Sequence, residues 1–138
     1  FLLKVLDKFL ENKTKSLNFF SLLLLRLGLG IAFIIHGKSK FPLPPKNLID
    51  FFGFSPFLAS FVAVSEVIAG FTLILGIFIK SYIGNLLTRA SALVIVIIMC
   101  FAFYFAHKDW FINSKLFTSE QIFLILIGFY FMINGNKY

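Results

Sequence analysis

Two ionisable residues, Arg26 and Glu66, interrupt otherwise apolar stretches of this chain. An arginine placed in hydrocarbon costs about 2.5–3.5 kcal/mol on insertion scales, and burying two opposite charges together costs far less than burying either alone. Counted at about 1.5 Å per helical residue from His36 and from Pro56, both charges lie about 15 Å below one end of their helices. We therefore predict that Arg26 and Glu66 form a buried ion pair. The pair would either fix the register of two helices or form the floor of a polar cavity for a quinone, a lipid headgroup or a proton.

Four further ionisable residues, His36, Lys40, His107 and Glu120, fall at one end of the predicted helices and could form the mouth of that cavity. The two histidines could hydrogen-bond a quinone carbonyl, relay protons or ligate a metal. Each residue also has an ordinary structural interpretation, because histidine at a helix C-terminus and glutamate at a helix N-terminus both favour the helix dipole. No close cluster supplies four zinc ligands and no haem-binding motif is present, so we predict no metal site. We assign no catalytic residue, and whether the protein is an enzyme stays open.

The elements that must position these residues are apolar helices. Of the 138 residues, 59% are hydrophobic, and the mean hydropathy is +0.95. The hydrophobic content is well above that of typical soluble domains. Runs that are almost free of charge are long enough to span about 30 Å of hydrocarbon. The predicted helices cover about 17–36, 56–79, 85–106 and 119–134. We predict an all-α polytopic membrane protein, built as a four-helix transmembrane bundle.

The first residues have a different pattern. Apolar side chains of residues 1–12 recur on one helical face, and Lys4, Asp7, Lys8 and Glu11 take the other. This pattern is typical of an amphipathic helix that lies in the membrane interface. We divide the chain into residues 1–16, the interfacial helix and its link, and residues 17–138, the transmembrane domain.

Charge and cysteine content exclude several classes of function. The net charge of +7 comes largely from lysines that flank apolar runs, where they set topology and meet anionic lipid, so we predict no nucleic-acid partner. The one cysteine, Cys100, excludes an intrachain disulfide and a CxxC redox pair. Phosphate-binding loops, nucleophile elbows and flavin fingerprints are absent. Any redox chemistry would therefore need a quinone held by the bundle or a partner subunit that carries the cofactor.

The distribution of basic residues predicts the orientation. The N-terminal side of the predicted bundle holds seven of them and the opposite side five. By the positive-inside rule, both termini are expected in the cytoplasm of a bacterial inner-membrane protein. The two sets are Lys4, Lys8, Lys13, Lys15, Lys80, Arg89 and Lys137, against Lys38, Lys40, Lys46, Lys108 and Lys115.

Several residues of the first apolar helix form a recognisable pattern. Arg26, Gly28, Gly30, the His36-Gly37 pair and Lys40 resemble the first-helix signature of the DoxX family. The resemblance extends over about residues 19–138. It implies a small four-helix membrane protein of a family tied to thiosulfate:quinone oxidoreduction and to thiol and radical homeostasis complexes.

Two functions follow as expectations. The first is an integral membrane subunit associated with a quinone-linked redox complex, with no intrinsic cofactor and with quinone as the candidate ligand. The alternative is a non-catalytic accessory subunit that stabilises a larger membrane complex or binds lipid there. Under either function, we expect membrane lipids and other protein subunits as partners. A small-solute or proton transporter is disfavoured, because no helix has the Gly/Pro-broken pattern of midplane transport sites.

Overall fold

Every regular element in residues 1–136, the part of the chain that the computed structural model describes, is helical. Lys137, which the orientation count used, lies outside this part. The helices are α1 (Leu2–Thr14), α2 (Asn18–Lys38), α3 (Lys46–Phe52), α4 (Pro56–Leu75), α5 (Tyr82–Ala106), α6 (Lys115–Thr118) and α7 (Gln121–Asn134). A 3-10 turn, Lys15–Leu17, joins α1 to α2, and a second one, Lys108–Ile112, follows α5.

Three segments of the described chain are long and apolar enough to cross a membrane: Leu2–Lys38, Pro56–Leu75 and Tyr82–Ala106. The chain is therefore an all-helical membrane protein. The fourth apolar helix, α7, is shorter, at 14 residues. At 1.5 Å per residue it is about 21 Å long, against about 30 Å of hydrocarbon. A fourth crossing therefore stays a prediction.

The long helices pack in a chain of neighbours, with α2 on α4, α4 on α5 and α5 on α7. Glycines allow the closest of these approaches. A Cβ atom on Gly30 would lie 2.8 Å from the carbonyl oxygen of Gly70, so any side chain there would push α2 away from α4. Small residues serve the same purpose between helices in lipid, where close backbone packing replaces the hydrophobic effect.

The core lies along the axis of this bundle. Leu29, Phe33, Leu73, Ile95 and Phe131 are all no more than 2% exposed. Large apolar side chains also cover the outside of the long helices, including Phe61, Phe71, Ile97, Phe101 and Leu126. This inside-and-outside apolar composition suits a helix bundle surrounded by lipid.

The loops at one end of the bundle fold back over α4 and α5. After the proline-rich stretch, α3 ends at Gly53, and Phe54 packs edge-on against Phe105 of α5 at 5.4 Å between ring centroids. The Ser55 hydroxyl accepts the backbone N–H of Leu58 and so caps α4, with proline at the first helical position, where its missing N–H has no cost.

Several helix boundaries differ from the expected ones. The first long helix, α2, ends at Lys38 instead of residue 36, and α5 begins at Tyr82 instead of residue 85. The second long helix, α4, ends at Leu75 instead of Ile79, because residues 76–81 form the turn into α5. The last helix, α7, begins at Gln121 instead of Ser119. Residues 2–14 are helical and none of them is buried. Whether α1 lies in the membrane interface stays a prediction.

Candidate functional site: two polar centres in the bundle

The first polar centre surrounds Arg26, which is 1% exposed. Its Nη1 donates to the carbonyl oxygen of Leu73 at 2.9 Å and to the hydroxyl of Thr88 at 2.8 Å. Its Nη2 donates to Oδ1 of Asn136 at 2.7 Å, and its guanidinium lies over the Phe131 ring, 4.9 Å from the centroid. Arg26 of α2 therefore joins α4, α5 and the end of α7.

Asn136 closes this centre from the C-terminal side. Its Oδ1 also accepts the Thr88 hydroxyl at 2.7 Å, and its Nδ2 donates to the Gly76 carbonyl at 3.0 Å. The preceding residue, Gly135, ends α7 with φ of +60°, a conformation that side chains with a Cβ rarely adopt. A glycine is needed at this point for the chain to turn Asn136 back onto Arg26.

The second polar centre surrounds Glu66, which is 5% exposed, on the inward face of α4. Its Oε2 accepts a hydrogen bond from Lys40 Nζ at 2.7 Å, in an ion pair whose side chains are 7% and 23% exposed, respectively. Lys40 lies two residues beyond α2, and its Nζ also donates to the His36 carbonyl at 3.3 Å. A charge-assisted bond of this length is among the stronger ones in proteins.

The structure corrects the expectation that Arg26 pairs with Glu66. Both residues are buried, as expected, but within the described chain the carboxylate of Glu66 binds Lys40. The error lies in the depth estimate, which took His36 and Pro56 as level with each other. Gly37 meets Ala63 across the seam, so α4 begins about two turns beyond that end of α2. Arg26 and Glu66 are consequently about 12 Å apart along the bundle axis.

The expected mouth residues do converge. His36, Lys40, Glu66 and His107 line one cavity of about 170 Å³, together with Gln121 and apolar groups of α2 and α5. Glu120 lies at its edge, with Oε1 3.3 Å from His36 Nε2. This volume is large enough to hold several water molecules. The site function of this cluster remains a prediction.

His107 is held by an aromatic stack just past the end of α5. Its ring lies parallel to that of Trp110, at 3.7 Å between centroids. Burial lowers the pKa of His107 below the usual 6.5, and the nearby Asp109 carboxylate partly offsets this. The imidazole is therefore biased towards its neutral form, in which one ring nitrogen donates and the other accepts a hydrogen bond.

An apolar groove of about 590 Å³ meets the polar cavity. It runs between α4 and α5, next to Phe52 at the end of α3 and Phe54 in the loop that follows. Four residues line both spaces: Lys40, Glu66, Ile98 and Ala102. A molecule with a long apolar chain could lie in the groove while its polar head reaches the Lys40–Glu66 pair.

The chemistry available at this junction is hydrogen bonding and charge stabilisation. Lys40 is a donor, Glu66 an acceptor, and His36 and His107 can serve as either. Among residues 1–136, no three His, Cys, Asp or Glu side chains are grouped so that they could hold a metal ion. Cys100 lies on the exposed surface of α5.

Sequence reasoning missed Thr88 and Asn136 as partners of Arg26. The sequence signal for Thr88 was a hydroxyl residue within the third apolar run. The structure buries it fully, and buried hydroxyl groups need hydrogen-bond partners. Asn136 follows a glycine just after the last apolar run and carried no comparable signal.

The chain was compared with protein-family models, curated proteins and solved structures. The family model described as DoxX matches residues 21–108, which include Arg26, His36, Lys40, Glu66 and His107. No curated protein and no solved structure matches the chain significantly.

Proposed function

Because the chain belongs to the DoxX family of membrane proteins, we propose that it is a membrane subunit that binds a lipid-soluble quinone and works within a quinone-linked redox complex. The observation that carries this proposal is the junction of the apolar groove with the polar cavity at Lys40 and Glu66. A polar ring on a long apolar chain needs both surroundings at once. We place the protein in the bacterial cytoplasmic membrane, with four crossings and both termini in the cytoplasm.

Each residue at the junction has a defined part in this proposal. Phe52, Phe54 and Phe105 surround the apolar chain, and Lys40 donates a hydrogen bond to an oxygen of the head. His36 and His107 line the polar cavity and would hydrogen-bond the head. A bound quinone would supply two-electron redox chemistry, and a partner subunit would supply the electron donor.

Filling the junction tests the proposal. Ala102 lines both spaces, whereas Cys100, two residues earlier on α5, faces outward. Ala102→Leu should remove most of the quinone that co-purifies in mild detergent, because the added side chain takes the place of the head. Cys100→Leu should retain wild-type amounts. Equal quinone content in the two variants, or none in the wild type, would contradict the proposal.

A non-catalytic accessory role is the second candidate. The observation that favours it is α1, whose apolar residues Leu2, Val5, Leu6, Phe9 and Leu10 are all at least 51% exposed. Such a face could dock on a larger complex. Mass spectrometry of co-purifying chains separates the candidates. Defined redox subunits would support the first, and a complex of unrelated function with lipid alone would support the second.

A further inference from the structure

The carboxylate of Glu66 has one oxygen left for a ligand. Oε2 accepts from Lys40, and no group in residues 1–136 donates to Oε1. The side chain is 7% exposed and lines both the polar cavity and the apolar groove. The buried polar atoms that lack a partner among residues 1–136 do not include Oε1, so this oxygen is accessible from the spaces that Glu66 lines, and a ligand there can donate a hydrogen bond to it.

Lys40 complements this acceptor with a donor. Its ammonium carries three N–H groups, and two of them are directed to Glu66 Oε2 and to the His36 carbonyl. The third N–H has no acceptor in the described residues. A free donor and a free acceptor therefore lie on the two members of one ion pair, which lines both the polar cavity and the apolar groove.

We propose that this site selects amphiphiles whose head carries a neutral hydroxyl group, and therefore prefers a hydroquinone to the corresponding quinone. The hydroxyl oxygen accepts from Lys40 and its hydrogen is donated to Glu66 Oε1. This deepens the proposed quinone function and rests on the same site. It adds the redox state of the ligand, which neither the family nor the groove volume specifies.

The oxidised ring fits this site less well. A quinone carbonyl can accept from Lys40, but it has no hydrogen for Glu66 Oε1, so two acceptor oxygens face each other. Sites built around a hydroxyl reject analogues that lack it, because their buried polar groups are left unpaired. An anionic headgroup is disfavoured as well, because the charge of Lys40 is already balanced by Glu66.

Two sources could supply such a hydroxyl head: a hydroquinone or a neutral glycerolipid. The shared chemistry is an uncharged hydroxyl on an apolar chain.

The first experiment measures binding of decyl-benzoquinone and of its hydroquinone, anaerobically, to the full chain in nanodiscs of neutral lipid. We expect the hydroquinone to bind about tenfold tighter than the quinone. This ratio corresponds to the lower end of the free energy that one hydrogen bond to a charged group contributes. The midpoint potential of the bound couple should then rise by about 30 mV.

Variants locate the preference. Glu66→Gln replaces the carboxylate by an amide, which can donate to a carbonyl, so the preference for hydroquinone should disappear. Glu11→Gln makes the same charge change on exposed α1 and should keep it. If Glu66→Gln does not fold, the wild-type comparison alone decides, because it requires no substitution.

The outcomes separate this inference from the proposed function. Equal or tighter binding of the quinone by the wild type would overturn the hydroxyl preference and leave the quinone function standing. If neither ring binds but a monoacylglycerol raises the thermal stability of the wild type and not of Glu66→Gln, the hydroxyl inference survives and the quinone function fails. If none of the three ligands binds, both are overturned.

Discussion

At the scale of single residues, the environment of Arg26 shows how a cation is accommodated in an apolar bundle. Within the described residues it donates to neutral oxygen atoms of Leu73, Thr88 and Asn136. Its guanidinium also makes a cation–π contact with the ring of Phe131. Hydrogen bonds to charged groups contribute more than neutral ones, roughly 1.5–3 kcal/mol each. The centre therefore stabilises the fold where the end of α7 meets α2, α4 and α5.

Thr88 is the residue whose removal tests this centre most cleanly. Its hydroxyl accepts from Arg26 and donates to Asn136, and valine keeps its shape. Thr88→Val should lower the free energy of unfolding by about 1–3 kcal/mol, since buried polar groups lose their partner. Unfolding titrations in detergent would measure this. The control is Thr118→Val, at an exposed hydroxyl, and a similar loss in both variants would contradict the assignment.

His107 makes stability depend on pH in a defined direction. Burial lowers its folded-state pKa below 6.5, so the unfolded chain binds the proton more readily. The stability that comes from the neutral ring is complete above about pH 6.5 and is lost as the pH falls through the window between 6.5 and the lowered value. Thermal unfolding between pH 7.5 and 5 should show this loss. His107→Gln should show a smaller loss, and identical pH profiles would exclude His107 as the cause.

At the scale of elements, the seam between α2 and α4 depends on which glycines face it. A Cβ on Gly30 would meet Gly70 and Ile74, whereas nothing lies within 4 Å of a Cβ on Gly28. Gly30→Ala should therefore destabilise the protein by about 1–3 kcal/mol through overpacking. Gly28→Ala should be neutral or stabilising by up to about 1 kcal/mol, because alanine favours helix. Comparable unfolding midpoints for the two variants would show that the seam is not closely packed.

The same seam explains what sequence could and could not predict. Ala59, Ala63, Glu66 and Gly70 follow one another at spacings of 4, 3 and 4 residues, which predicts one shared helix face, and all four are buried. Helix periodicity says which face a residue occupies, but not how far one helix slides along another. The prediction that Arg26 pairs with Glu66 was wrong because it assumed the wrong shift of α4 along α2. The true partner, Lys40, comes from a loop whose path no helical pattern specifies.

At the scale of the whole molecule, the packing order assigns each connection to one end of the bundle. The segments 39–55 and 107–120 lie at the end that carries the Lys40–Glu66 site, and the turn of residues 76–81 lies at the other. All of these positions can be labelled, because the single native cysteine, Cys100, can be replaced by serine.

Cysteine labelling tests four membrane crossings and their direction. In a Cys100→Ser background, Ser39→Cys and Ser114→Cys should react with a membrane-impermeant maleimide in right-side-out vesicles. Ser81→Cys and Asn134→Cys should react only in inside-out vesicles. Labelling of Asn134→Cys from the same side as Ser114→Cys would show that α7 does not cross, and the reverse labelling of all four would invert the proposed orientation.

The separation of the two polar centres has an electrical consequence. Between Arg26 and Glu66 lies a layer in which Leu29, Ala69 and Ile95 are at most 3% exposed. One hydroxyl pair, Thr72 with Ser91 at 2.6 Å, also lies in this layer, and a charge is costly in such surroundings of low dielectric. A voltage applied along the bundle axis would therefore fall in part between the two polar centres, which lie about 12 Å apart along that axis.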